Sequence, residues 1–401
     1  MDFTYCKLID VLNDIHSGGT PSTGVPQYWG GSLKWLSSGE TNQRFISDTI
    51  DKITESGVKN SSTKLARKNN IVMAFAGQGK TRGQTSFLLD DMYINQSVIA
   101  LEANDSVLPL YLFYDLSSRY DELRGGSDAS STRGSITTTA LKNLSFKYPD
   151  LPSQKRIVDI LSTYDDLIEN NNRRIALLEK AAQELYKEWF VRFRFPGYEN
   201  AKFENGLPNG WTVKKLADYG KVETGKTPST EVVENYGDYI MFVKTPDMHG
   251  NMFTIQTGEY LSQQGHNCQP KKLLPANSIM VSCIGTGGVV SINAEPAHTN
   301  QQINSIILNN SIFLEWIFFT CESLKETIEL FGATGATMTN LSKGKFEKLK
   351  VIEPTENLIL LFHDKVQPFF DEIRSLMYQN QNLIKQRDLL LPRLMSGKLE
   401  V

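Results

Sequence analysis

Two long stretches of this chain repeat each other, and that repeat constrains the fold more than any single motif does. TPST stands at Thr20–Thr23 and again at Thr227–Thr230, 207 residues later (227 − 20). The same offset lays KWLSSGE (Lys34–Glu40) on MFVKTPD (Met241–Asp247), aromatic on aromatic and acid on acid. Further on, NIVMAFAGQGK faces NSIMVSCIGTGG, and Asn95-Gln96 faces Asn300-Gln301. Each copy then closes on a helical pattern. In the first, the seam steps through Ile157, Leu161, Tyr164, Ile168, Asn171, Ile175, Leu178, Ala182, Leu185 and Trp189. In the second it steps through Val366, Phe370, Ile373, Met377, Asn380, Ile384, Arg387, Leu391 and Leu394. Asn380 takes the place of Asn171, 209 residues on (380 − 171), and Arg387 that of Leu178. A seven-residue repeat held for about five heptads predicts a coiled coil, in which a buried asparagine fixes register at some cost in stability. Two amphipathic helices packed separately on their own domains would show the same stripe. Seams of equal length with an asparagine at the same step favour pairing with each other. Arg387 puts a charge in the seam, so the helix pair is expected to splay there or to expose that end to a partner.

Between the helices and their domains the pattern changes. Short β-branched runs (ITESGV, NIVMAFA and QSVIALEA; then YIMFV, SIMVSCI and NSIIL) alternate with Gly, Asn and Ser turns, which predicts strands. Each domain ends in a helical stretch, LPLYLFYDLSSRYDELRG or SIFLEWIFFTCESLKETIELF. FPGYENAKFENGLPNGW, Phe195 to Trp211, is dense in Gly, Pro and Asn, which stops the first long helix and makes a bounded linker. The expected fold class is therefore α+β: two similar strand-rich domains, each followed by a long helix, the two helices antiparallel about a pseudo-two-fold axis.

Several function classes are disfavoured. AFAGQGKTRG, Ala74 to Gly83, ends like a phosphate-cradling loop. Such a loop needs a glycine where Ala74 stands and a helix after it, whereas TSFLLDDMYINQSVIAL reads as two strands. Its counterpart in the second copy, Gly285-Thr286-Gly287-Gly288-Val289, keeps the glycines and loses the lysine, as suits a β-turn presenting variable side chains. Cys6, Cys268, Cys283 and Cys321 stand far apart and form no metal or disulfide framework, and the five histidines are equally scattered. No apolar run reaches membrane length and the N-terminus lacks the order of a signal peptide, so a cytoplasmic location is expected. With a net charge of −3 there is no global basic field, so any nucleic-acid surface must be local.

Local candidates exist. The polar loops GGSDASSTRGSITTT and GATGATMTNLSKGK are either plain surface connections or phosphate contacts, for which Arg124, Arg133, Lys343 and Lys345 provide charge.

Repeat, seam and linker together resemble the specificity subunit of type I restriction-modification systems. The likeness rests on the GGTPST/GKTPST openings, on LPSQKRIVDILSTYDDLIENNNRRIALLEKAAQELYKEWF, on the FPGY…GLPNGW join and on the ending RDLLLPRLMSGKL. The resemblance implies target-recognition domains at 1–150 and 211–355, spacer helices at 151–194 and 356–401, and a linker at 195–210. It implies a non-catalytic subunit that reads one half of an interrupted DNA sequence with each domain and docks two methyltransferase subunits on its helices. S-adenosylmethionine is then expected on the methyltransferase, ATP and magnesium on restriction subunits that join the complex, and no cofactor or metal on this chain. In agreement, N-P-P-[YF] and D-P-P-Y are absent, and Phe331-Gly-Ala-Thr-Gly335 has alanine in place of one of the two glycines of F-x-G-x-G.

DNA-binding candidates are polar residues on the repeated loops. In the first domain these are Ser37, Ser38, Glu40, Asn42, Arg44, Gln78, Lys80, Arg82 and Gln84. In the second they are Lys244, Thr245, Asp247, His249, Asn251, Asn300, Gln301 and Gln302. The two sets differ at matched positions, so the target is expected to be asymmetric. Two other readings stay open: a related restriction-methylation machine with a detached specificity subunit, and a scaffold whose domains read no DNA.

Overall fold

The β-branched runs pair in the same order in both copies, as their shared sequence pattern requires. The computed structural model describes residues 2–76, 79–128, 135–332 and 339–401. Contacts divide the chain into two units, Met1–Leu167 with Leu383–Val401, and Ile168–Asn382.

In the first unit one sheet runs in the order Leu12–Ser17, Val98–Ala103, Ile71–Ala74, Thr85–Leu88, Phe45–Ile46. All its pairs are antiparallel except the edge pair Phe45–Ile46 with Thr85–Leu88, which is parallel. The second unit repeats this with Gly220–Thr224, Ile303–Leu308, Ile279–Ser282, Val290–Asn293 and Phe253–Thr254, again parallel only at the last pair. A further sheet orders Asp51–Ile53, Trp29–Leu36, Met92–Ile94 and Lys64–Ala66. Its counterpart is Tyr260–Leu261, Tyr236–Val243 and Ala297–Thr299; in place of a fourth strand a single bridge joins Leu274 to Ala297. One sequence expectation fails locally: within ITESGV, Thr54 accepts the Gly57 N–H through its hydroxyl at 3.1 Å and opens a one-turn helix, Glu55–Lys59.

Each sheet buries one face against a short apolar helix, Pro109–Ser117 or Leu314–Ser323. Trp316, Phe318, Tyr111 and Phe113 are among the fully buried side chains there, each removing on the order of 2–3 kcal/mol of apolar surface cost from water.

The long helices complete these cores. The central helix runs Leu151–Tyr186 and the terminal helix Glu356–Ser396. Asp150 caps the first, its Oδ1 accepting the Ser153 N–H at 3.1 Å. The central helix ends through a π-turn, Lys187–Val191, and then Phe193 at φ +57°, a backbone state that its ring sustains by packing on Trp211 and Phe203, 5.3 and 5.9 Å between centroids. In the first unit Ile157 and Leu161 share a core with Leu391 and Leu394. In the second, Ala182, Tyr186 and Trp189 share one with Phe362, Val366, Phe370 and Ile373. The alternatives of a helix pair and of helices packed on their own domains are therefore both realised, because one apolar stripe serves both contacts.

Pairing is antiparallel and polar at its marked steps. Asn171 Nδ2 donates to Asn380 Oδ1 at 2.9 Å, and Asn380 Nδ2 donates to Asn172 Oδ1 at 2.8 Å. Both seam asparagines are 7% exposed. Tyr164, Ile168, Ile175, Leu178, Leu185 and Met377 are half-buried along the seam. Two expectations need correction. Arg387 neither splays the helices nor points outward: it is 5% exposed, and its Nη1 lies 2.6 Å from Asp165 Oδ1 within the first unit. An opposite charge on the facing helix turns a misfit into a buried, hydrogen-bonded pair. Ile384, counted with the seam, is 38% exposed; flanked at its neighbouring seam steps by Asn380 and Arg387, it has no apolar neighbour along its own stripe.

We predict that Asn380→Ala lowers stability by about 1–3 kcal/mol, since Asn171 is left with an unpartnered buried amide. The midpoint of urea unfolding checks this; an unmoved midpoint would mean that the asparagine pair adds nothing to the seam.

Candidate nucleic-acid interface

In each unit two loops cross between the sheets at one edge, and the repeat equips both pairs with the same fasteners. The first loop follows the long strand Trp29–Leu36, or Tyr236–Val243 in the second unit. Glu40 is 4% exposed and accepts from three donors: the Ser37 N–H at 3.1 Å and hydroxyl at 3.0 Å on Oε2, and the Ile50 N–H at 2.8 Å on Oε1. Asp247, its counterpart, accepts the Lys244 N–H at 2.8 Å and the Gly258 N–H at 2.9 Å. Charge-assisted bonds to backbone donors are strong and directional, so these acids clamp the loops rather than present themselves to a base.

A second fastener joins the TPST segment to the Asn-Gln pair. Thr20 donates to Gln96 Oε1, and Thr227 donates to Gln301 Oε1 at 2.6 Å. Asn95 and Asn300, each 8% exposed, accept from the N–H two residues on, Ser97 at 2.9 Å and Gln302 at 3.1 Å. Asn300 Nδ2 also donates to Gln302 Oε1 at 3.1 Å. The two asparagines thus shape Asx turns.

The loop that resembles a phosphate cradle joins Ile71–Ala74 to Thr85–Leu88, two antiparallel strands. A strand follows it where a cradle requires a helix N-terminus. Gly83 and its counterpart Gly288 both take positive φ, +86° and +77°. Each is packed on the helix that follows the core helix, Gly83 beside Tyr120 and Gly288 against Lys325. Tyr120 donates its hydroxyl to the Lys80 carbonyl at 2.9 Å, and Arg124 Nη1 donates to the Gly79 carbonyl at 3.0 Å. Residue matching alone passed over Tyr120 and Lys325 as loop supports; the signal was the continued offset of 205 residues through these helices (325 − 120).

The remaining candidates divide by exposure. Arg82, 3% exposed and beside positive-φ Gly83, and Thr245, 7% exposed and opening the short helix Thr245–Met248, lie inside their loops; they are corrected from base or phosphate contacts to interior residues. Arg44 is likewise turned inward, its guanidinium 4.9 Å from the Phe113 ring centre and its Nε 3.3 Å from Asp165 Oδ1. Glu40 is corrected to a clamp by its burial. Ser38 and Gln84 are half-buried. Lys244 pairs with Glu259 at 2.6 Å, Lys343 with Glu347 at 3.8 Å, and Lys345 Nζ donates to the Phe331 carbonyl at 3.4 Å. Asn42, Lys80, His249 and Asn251 project from the loops as exposed side chains. Gln78 and Arg133 lie outside the described residues.

Reactive chemistry has little support in this arrangement. Among the described residues no group of three or more His, Cys, Asp or Glu is placed to hold a metal ion. Burial pushes the Cys283 thiol up to about 11 and raises Cys321 as well, the reverse of what a nucleophilic thiol needs. No helix among the described residues is long and apolar enough to cross a membrane.

Where the second-unit loop meets the central helix there is a groove of about 580 Å³, lined by Gln183, Asn251, Phe318 and Lys325 and by two carboxylates, Glu179 and Glu322. Burial raises both acids; Glu322, with Glu179 as its like-charged neighbour, is pushed up to about 7.

Known proteins agree with this organisation. The family model described as type I restriction modification DNA specificity domain matches residues 2–180 and 208–357, one segment for each copy of the repeat. The type I restriction enzyme HindI specificity subunit of Haemophilus influenzae is 30% identical over 438 residues, which covers 92% of this chain and 94% of that protein. The type I restriction enzyme MjaIX specificity subunit of Methanocaldococcus jannaschii is 28% identical over 410 residues, 98% of this chain and 93% of that one. Among solved structures, the S subunit of a type I restriction-modification system from M. genitalium superposes with a TM-score of 0.59 at 15% identity, covering 98% of this chain and 96% of that chain, a likeness of fold.

The groove acids give a pH signature. A carboxyl held protonated to about 7 in the folded chain, against 4.5 for an ordinary glutamate, contributes stability that is complete below 4.5 and lost as pH rises through 7. We predict that Glu322→Gln raises the melting temperature relative to the parent at pH 8, by an amount worth about 1–3 kcal/mol, and that the two melt together at pH 4. A difference independent of pH would assign the effect to packing.

Proposed function

The chain belongs to the type I restriction-modification DNA specificity family, and from that premise we propose that it selects a bipartite, asymmetric DNA sequence for methyltransferase subunits docked on its long helices. It is a specificity subunit and carries no chemistry of its own. One half-site falls to each unit, the helix pair acting as spacer. Two methyltransferase subunits bring S-adenosylmethionine, and restriction subunits that use ATP and magnesium join through the same complex, in the cytoplasm.

One observation carries the reading: fasteners are the same in the two units while the exposed positions between them differ. Thr20–Gln96 is repeated by Thr227–Gln301 and Glu40 by Asp247. At matched exposed positions Asn42 stands against His249; with Gly83 matched to Gly288 in the folded chain, the exposed Lys80 falls against the half-buried Gly285, three residues from its match by sequence. A frame kept constant with variable side chains is what direct readout of two different half-sites needs, since bases are distinguished by donor and acceptor patterns at fixed depth. Phosphate contacts supply affinity and register without sequence choice. With a net charge of −3, those contacts are few and local.

Mapping methylated bases across a genome tests this directly, in cells expressing the chain with its cognate methyltransferase against cells with the methyltransferase alone. An interrupted, asymmetric motif that needs both proteins is expected. A palindromic motif, or none from an assembled complex, would overturn the reading.

We further predict that Lys80→Ala weakens DNA binding by the complex and lowers the slope of log K against log salt by about one, the loss of one phosphate contact. An unchanged slope would remove this loop from the phosphate backbone.

A further inference from the structure

The first unit contains one buried polar node that the second lacks. Asp165, on the central helix, is 4% exposed. Its Oδ1 receives Arg387 Nη1 from the terminal helix at 2.6 Å, and its Oδ2 accepts the Tyr114 hydroxyl at 2.9 Å. The fourth member, Arg44, reaches the same carboxylate from the loop that runs from Leu36 to Phe45, its Nη2 3.4 Å from Oδ2. Its guanidinium lies over the Phe113 and Tyr114 rings, 4.9 and 5.9 Å from their centres, and its planar fork lets it stack there while reaching the carboxylate, a combination that an ammonium reproduces only in part. Both long helices, the core helix and the candidate reading loop thus meet at one carboxylate. The matched positions of the second unit break the node: Arg374 stands for Asp165, Leu178 for Arg387 and Asn251 for Arg44. There the loop borders an open groove instead.

We propose that Arg44 is a positioning residue for base recognition by the first unit, locking its reading loop to the spacer helices through Asp165, a buried charged tie whose matched positions in the second unit carry Asn251 and Arg374 instead. This rests on the bipartite reading proposed above. A loop that carries Ser38 and Asn42 needs its side chains held to well under an ångström for a bidentate base contact to discriminate. The tie to the helix pair provides that hold, and its cost is a charged side chain withdrawn from the DNA.

The test maps methylated sites for the complex of the full chain with its methyltransferase, comparing the parent with Arg44→Ala, Arg44→Lys, Asp165→Asn and Tyr114→Phe. The readout is the ratio of methylation at the cognate sequence to methylation at sites with one wrong base in a given half-site. Expected is a fall of about tenfold in that ratio for the first half-site, in Arg44→Ala and Asp165→Asn alike. The second half-site and the gap should not change, the double variant should be no worse than either single one, and Arg44→Lys should rescue only partly. Tyr114→Phe, which keeps the core and removes one bond to Asp165, gives a milder change in the same direction should Asp165→Asn fail to fold. An unchanged ratio in Arg44→Ala overturns the proposal. So does a ratio that falls in Arg44→Ala while Asp165→Asn and Tyr114→Phe keep the parent's, which would make Arg44 a direct reader. Failure of the parent itself to give an interrupted motif would instead count against the bipartite reading.

Discussion

Each unit depends on the double use of one apolar stripe. A long helix in water is held by tertiary packing more than by propensity. The stripe of the central helix must satisfy its partner helix and a sheet-backed core at once. Ile157 and Leu161 do so in the first unit, Ala182 and Trp189 in the second. Because interiors are close-packed, a shift of either helix along its axis would be felt in the core of the domain it supports. The polar pairs forbid that shift: Asn171 with Asn380 is satisfied at one register, and Asp165 with Arg387 at one register. The apolar layers supply the stability and the polar ones choose among alignments of similar apolar burial.

The same division recurs at the loop edge. Glu40 and Asp247 spend their charge on backbone donors, so neither is left to meet a phosphate or a base. A loop clamped this way tolerates replacement of the side chains between clamp points, because its backbone hydrogen bonds do not depend on them. That separates the residues that define the loop's shape from those that define what it contacts. Exposed residues such as Asn42 or His249 can therefore change without rebuilding the sheet, which is what the proposed reading of two different half-sites requires.

Much of this was legible in the sequence because the repeat doubled every signal. The strand-forming runs, the helix pairing and the seam asparagines follow from periodicity compared across two copies, whereas the order of the strands within each sheet came only with the structure. The loops were legible as loops, and the GQGKT turn as a link between strands. What was not legible was the direction of side chains within them. Arg44 and Arg82 read as cations in a polar loop, yet one stacks on Phe113 and the other is buried, outcomes that depend on residues distant in the chain. Arg387 read as a defect in its seam because its compensation, Asp165, lies on the other helix and outside the seven-residue frame. A pattern taken along one helix finds apolar partners, which are interchangeable, more readily than it finds a specific charge.

Arg387 also shows why a buried charge here is a statement about specificity more than stability. Burial by itself would lower the proton affinity of its guanidinium, and Asp165 and Asp388 more than restore it. Desolvating both members of such a pair consumes most of what their attraction returns, so well-packed apolar residues of similar volume would hold the helices at least as firmly. Apolar residues would not, however, hold them at one register, nor give Arg44 an anion to meet. In the second unit, where Leu178 and Arg374 occupy the matched positions, the helix pair keeps its asparagines, while the loop meets the central helix across an open groove and the terminal helix at Phe253, under the Arg374 guanidinium. Two units with a common fold therefore differ in how the first loop is tied to the long helices, and in the first unit that tie is the Asp165 carboxylate.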